Sequence, residues 1–171
     1  MTRHWSFEPK PDLKGSYQRR IEVIHRALAA LGIDKLNEPA KFIAYFFGCE
    51  KFAHAIVGIE RGVPAEEAYG PSIKIDLFRI RLAVPLVGLT FPPDDLQFIF
   101  ADYKRRTRPD PQPPSPIGTS ARMLRNDVIH DFGPTNVGKL GQSPATVIVP
   151  KMVKFLACTH ELVSHLKRTW P

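Results

Sequence analysis

A chain of 171 residues, 43% hydrophobic and 24% charged, suits one globular domain with a real core and leaves two independent domains cramped. Lys+Arg 24 against Asp+Glu 17 gives a formal net charge of +7, which tilts the partner class toward polyanions without establishing one. The two cysteines, Cys49 and Cys158, lie far apart in apolar periodic stretches; they read as buried free thiols rather than a disulfide, and neither belongs to a pair with zinc-like spacing.

Met1 to Pro9 lacks the uninterrupted apolar core of a signal peptide. The longest apolar run, Phe42 to Cys49 (broken by Gly48), is too short to span a bilayer, so a cytoplasmic protein with no membrane is expected.

Residues 1–15, with Pro9, Pro11 and Gly15, read as an irregular arm. Ser16 is placed to cap a first helix reaching Leu31, where Ile21, Ile24, Leu28 and Leu31 recur at helical spacing before Gly32. Pro39 suits the first turn of a second helix that ends near Arg61, before Gly62. Its positions Phe42, Phe46, Cys49, Phe52, Ala53, Ile56 and Val57 form a stripe wide enough to need partners on several sides, which predicts a central helix. Pro64 to Tyr69 reads as a short helical turn ended by Gly70-Pro71. Between Ser72 and Leu89, Ile73, Ile75 and Leu77 alternate like a strand, while Ile73, Leu77, Ile80 and Val84 repeat like a helix. Length favours a helix kinked or stopped near Pro85.

Pro92-Pro93-Asp94-Asp95 predicts the start of a helix running into Lys104-Arg105-Arg106. Five prolines between 109 and 116 then forbid a helix and predict a surface loop over 108–118. Thr119 or Ser120 caps the next helix, stopped by Gly133-Pro134. A glycine-rich loop leads to a short β-branched run, Thr146 to Val149, and Pro150 opens a last helix to about Lys167 with Val153, Leu156, Ala157 and Leu162 as core positions. The prediction is an all-α bundle of about five or six helices in one domain.

The helix after Ser120 carries Arg125-Asn126-Asp127-Val128-Ile129-His130. At about 100° per residue, Leu124, Val128 and Phe132 cluster on one side with Ala121 between them, the side expected to face the core. Asn126 and His130, about 40° apart, lie nearly opposite it, with Arg122 one turn earlier on the same outward side. Arg125 sits about 140° from His130, near the edge of the apolar stripe, and is long enough to snorkel outward. Two readings fit this spacing. One is a solvated polar face, with His130 favoured near the helix end by the dipole. The other is a phosphate site, because a guanidinium grips phosphate at two points and an imidazole moves protons near neutral pH.

Arg125-Asn126-x-x-x-His130, on a late helix of a small helical chain, resembles the signature of the HEPN superfamily (higher eukaryotes and prokaryotes nucleotide-binding): Arg, usually Asn, Asp or His next, then a gap and His. Asp131-Phe132-Gly133 is similar to that family's exit from this helix. Phe46 to Ala55 resembles, less specifically, its long central helix. The proline-rich segment departs from the pattern. The resemblance implies a HEPN-like helical bundle and a metal-independent endoribonuclease, often a toxin with a small nucleotidyltransferase antitoxin, or else a noncatalytic module binding nucleotide, RNA or protein. It also implies a homodimer in which two motif helices build one RNA site, with no cofactor.

Chemistry gives such a dimer a reason. Attack by a ribose 2′-hydroxyl needs a base, an acid and a cation for the phosphorane, and one motif histidine does not easily supply both proton transfers. On this reading His130 is the acid–base group, Arg125 holds the scissile phosphate, Asn126 orients one of them, and Arg122 is an auxiliary phosphate contact.

Lys104, Arg105, Arg106 and Arg108 form the densest basic run, either a solvated helix end or a grip on flanking RNA phosphates. Glu50 and His54, four apart, suggest an intrahelical pair. Cys158, His160 and His165 diverge too far around a helix to favour a metal site. There is no Gly-rich phosphate loop, Gly-x-Ser-x-Gly elbow or His-Glu-x-x-His pair.

Overall fold

In the computed structural model, residues 13–68, 73–102 and 115–169 are described, and every regular element among them is helical. Helix α1 (Leu13–Ala30) begins three residues before Ser16, which lies buried inside it rather than capping it. A single 3-10 turn, Ile33–Lys35, leads to α2 (Glu38–Arg61). The Asn37 side chain accepts from the Ala40 amide, Pro39 occupies the first turn, and Gly62 closes the helix at φ 67°, where a side chain is strained.

Every residue of the expected apolar stripe, Phe42 through Val57, is fully buried. The stripe has that many neighbours because α2 packs against α1, α3 (Ala65–Ala68), α4 (Leu77–Leu86), α6 (Ala121–His130) and α8 (Ser143–Thr169). By length and composition α2 is apolar enough to cross a membrane, yet here it is the core helix of the bundle. The remaining elements are α5 (Asp95–Phe100) and α7 (Pro134–Lys139). Five helices of ten residues or more thus carry the fold: α1, α2, α4, α6 and α8.

The ambiguous stretch resolves as expected from its length. Asp76 caps α4 by accepting from the Arg79 amide, and Pro85 lies in its last turn. Three expectations fail for local reasons. The helix begun at Asp95 ends at Phe100, because Ala101 turns extended, so it does not run into Lys104-Arg105-Arg106. Those three residues, the N-terminal arm as far as residue 12, and the proline-rich segment through 114 lie outside the described residues. The Thr146–Val149 run is helical, and Pro150 lies inside α8, not at its start. Pro144 already supplies a compatible first turn, and the exposed Pro150 costs the helix the bond to the Thr146 carbonyl and crowds that carbonyl with its ring, a cost offset by the apolar face that α8 buries on either side. Along α8, Val153 and Ala157 are exposed, and Met152, Phe155 and Thr159 take the core face with Leu156 and Leu162. Leu31, the last of the helically spaced apolar positions in the first helix, is exposed just beyond the end of α1.

Gly58 is a point of close approach. A Cβ there would overlap the Tyr17 hydroxyl and stand 2.6 Å from the Ala68 Cβ. That hydroxyl is not free to move, since it donates to the Val63 carbonyl at 2.7 Å. Gly58→Ala should therefore destabilise the fold by about 1–3 kcal/mol, although alanine is the better helix former. Urea denaturation followed by circular dichroism measures this; an unchanged or raised midpoint would show that the Tyr17 contact imposes no constraint.

Candidate functional site

The Ser120 side chain builds the start of α6. Its Oγ accepts from the Met123 amide at 3.2 Å and donates to the Ala101 carbonyl at 2.5 Å. The cap thus closes one orphan amide of α6 and also fastens this helix to the end of α5. Ala121, Leu124 and Val128 then face the core, and Asp131 (φ −140°, ψ 80°) ends the helix before Gly133 and Pro134 open α7.

Within α6 the motif residues divide. Asn126 is partly exposed, and His130 is exposed on the side away from the core, as the spacing predicts. Arg125 does not reach round to join them. It points toward α2, where its Nη2 meets Glu50 Oε1 at 3.2 Å and its Cζ lies 5.1 Å from the centre of the Phe46 ring. Its Nε is buried without a hydrogen-bond partner. Arg122, expected outward as a phosphate contact, is a correction: it is buried, donates Nη1 to the Ile75 carbonyl at 3.2 Å, and lies over Phe100. Phe132, expected in the core, is also reversed. The backbone turn at Asp131 carries it off the helical register and leaves it 81% exposed.

Glu50 and His54 interact through charge, and each also takes a partner on another element. Glu50 serves Arg125, and His54 Nδ1 bonds the Ala68 carbonyl at 2.8 Å, so that nitrogen carries the proton. The result is a polar seam between α2 and α6, in which the charges of Glu50 and Arg122 both act on His54. The sequence held one missed signal for this seam: a carboxylate at Glu50, inside a helix packed on several sides, needs a cation from another element.

His54 has its pKa lowered, chiefly by burial, with the Ala68 bond and Glu50 opposing and Lys51 and Arg122 assisting. His25 is lowered too, by burial and then by the His160 ring stacked on it at 4.8 Å. The Thr159 hydroxyl donates to the Leu156 carbonyl at 2.6 Å and accepts a hydrogen bond from His25 Nε2 at 2.7 Å. Both histidines are thus held neutral in the fold relative to the unfolded chain. The unfolded chain binds more protons just below its ordinary histidine pKa of about 6.5, so the stability they confer is present above that pH and is lost on acidification through the folded values. Thermal melts from pH 8 down to pH 5.5 should fall in midpoint, and His54→Gln should flatten that fall. An equally steep fall in the variant would remove His54 from the account.

No family model, curated protein or solved structure matches the chain. Elsewhere, the Cys158 thiol is buried against the Lys154 carbonyl, and the His165 ring packs where a Gly88 side chain would stand. Among the described residues no group of three or more His, Cys, Asp or Glu side chains is placed to hold a metal ion. The surface beside the motif carries two large apolar side chains, Ile129, 54% exposed, and Phe132, more so, with exposed Asp131 between them in sequence. An imidazole and an amide bordered by two large exposed hydrophobics make a surface suited to a partner as well as to an anion.

Proposed function

We propose that the chain is a HEPN-like, metal-independent endoribonuclease whose site is completed by a second copy. The observation that carries this reading is that Asn126, partly exposed, and His130, exposed, lie one turn apart on α6 beside exposed Ile129 and Phe132. Burying those two side chains against a two-fold mate brings two His130 rings toward one cleft. One ring takes the 2′-hydroxyl proton as the 2′-oxygen forms a bond to phosphorus. The other donates a proton to the 5′-oxygen as the P–O5′ bond breaks, leaving a 2′,3′-cyclic phosphate and a 5′-hydroxyl. On this reading Arg125 leaves its seat on Glu50 and Phe46 to serve as the cation for the phosphorane, and Asn126 orients Arg125 or His130. A role as toxin beside a nucleotidyltransferase-type antitoxin rests on the family resemblance alone.

The test is cleavage of a labelled RNA in excess chelator by chain of dimeric mass. Parent protein should cut, and His130→Ala should lose about 10²–10⁴ of the rate while remaining dimeric. A His130→Ala dimer that cuts as fast as the parent would sink the assignment. A specific observation favours a second reading, a noncatalytic module binding nucleotide, RNA or protein. Arg125 is committed to Glu50 and is mostly buried within its own chain. That reading predicts salt-sensitive RNA retention without cleavage.

A further inference from the structure

Helices α1 and α2 are joined by a short turn and run antiparallel. Between them lies an open groove of about 340 Å³, within the size range of small-molecule sites. Its walls are Val23, Ile24, Ala27 and Leu28 of α1, Leu31 just beyond, and Ala44 and Phe47 of α2, with Gly48 between them. Gly48 keeps the floor low, since even a Cβ there would press on Leu156 and Leu28 at 3.3–3.4 Å. Val23, Leu31 and Phe47 are each about half exposed, which is costly for large apolar side chains gathered along one groove.

The charges in this groove are not spread along it. The charged residues lining it are Arg20 and Lys51, both cations. The approaches of Gly48 to Leu28 and of Gly58 to Tyr17 fix the antiparallel register, which puts Lys51 about level with Ile24 and Arg20 one turn farther toward the same end, while Leu31 and Ala44 sit at the other end. The α1 wall from Arg20 to Leu31 is about 16 Å long at 1.5 Å per residue. We propose that this groove binds a single-chain fatty-acyl anion, its carboxylate between Arg20 and Lys51 and its chain along Ile24, Leu28 and Phe47. Two cations at one end and apolar side chains beyond them match a carboxylate carried on a single hydrocarbon chain. The site lies on a different face of α2 from the α6 seam, so it stands or falls independently of ribonuclease activity.

Calorimetric titration of the full chain with decanoate, kept below its micelle concentration, tests the proposal. One equivalent should bind. Decanol, of the same length without the charge, should bind at least tenfold more weakly, as should the parent's ligand to the R20E/K51E double variant. Ala27→Trp, at an exposed position over the groove, should weaken decanoate at least tenfold with unchanged circular dichroism and melting temperature. The proposal is overturned if decanoate does not bind, if it binds without saturating at one equivalent, or if charge reversal and groove filling leave its affinity unchanged. It is equally overturned if phosphatidylglycerol-containing vesicles retain the chain while monomeric decanoate does not, or if Ala27→Trp abolishes self-association, which would give the groove to a second copy.

Discussion

Phe155→Ala is expected to cost about 3–5 kcal/mol of folding free energy. The side chain is fully buried on α8, and its ring centre lies 5.0 Å from that of Phe52, 5.3 Å from Phe91 and 5.5 Å from Phe100. One residue therefore joins α8 to α2, to the segment after α4 and to α5. Tilted and edge-on pairs of this kind add about 0.5–1.5 kcal/mol each beyond the area they bury. Truncation leaves a cavity walled by three aromatic rings on three different segments, which do not collapse together without moving backbone. The six-residue α5 suffers most, since a helix so short is held by packing and not by its own hydrogen bonds. Guanidinium denaturation should show a lower midpoint with an unchanged slope. A loss under about 1 kcal/mol would mean that the neighbouring rings close the space. Phe155→Leu should fall between the two.

The second large effect is expected at Glu50. Removing its carboxylate leaves the Arg125 guanidinium stacked on Phe46 without a counter-charge, with one nitrogen already unpartnered. Both side chains keep about a fifth of their surface exposed, so water moderates the loss. Glu50→Ala should cost about 1–3 kcal/mol. Arg125→Met should cost less than this, because a methionine fills the same apolar slot. The double variant should cost less than the sum of the two singles by about 0.5–3 kcal/mol, the signature of a coupled pair. Strict additivity would show that the contact contributes nothing. If Arg125 instead meets RNA from this seat, Glu50→Ala should also slow cleavage while Glu50→Gln, which keeps the hydrogen bond, retains most of it. Arg125→Lys should fail both tests, since a lysine neither lies flat on a ring nor offers a planar fork.

The parts of this molecule legible from its sequence are those governed by one local rule. Periodicity gives α2 its buried stripe. The Ser120 cap follows from a hydroxyl ahead of an apolar-periodic run, and Pro85 in α4 from its place near a helix end. The outward direction of Asn126 and His130 is of the same kind. Arg125 was not legible in this way. An apolar stripe drawn through Ala121, Leu124 and Val128 leaves the arginine at its edge, free by periodicity to turn either way, and what draws that side chain inward is a carboxylate 75 residues away in the chain. Arg122 is a second such case, turned inward by the Ile75 carbonyl and the face of Phe100. Phe132 failed for another reason: a helical wheel has no meaning past Asp131. At Pro150 a local rule was present but outvoted, because an exposed proline removes one bond while the residues on either side of it bury a long apolar face.

The bond between Ser120 and the Ala101 carbonyl has a consequence for how this chain can vary. It clasps the end of α5 to the beginning of α6, so two points 19 residues apart in the chain are held together at their base. Once a loop is closed at its base, each doubling of its length adds only about 0.6 kcal/mol of closure entropy. Insertions in the sequence between Asp102 and Ser115 are therefore expected to leave the helix bearing Asn126 and His130 in its seat, whereas loss of the Ser120 hydroxyl would make that seat sensitive to them.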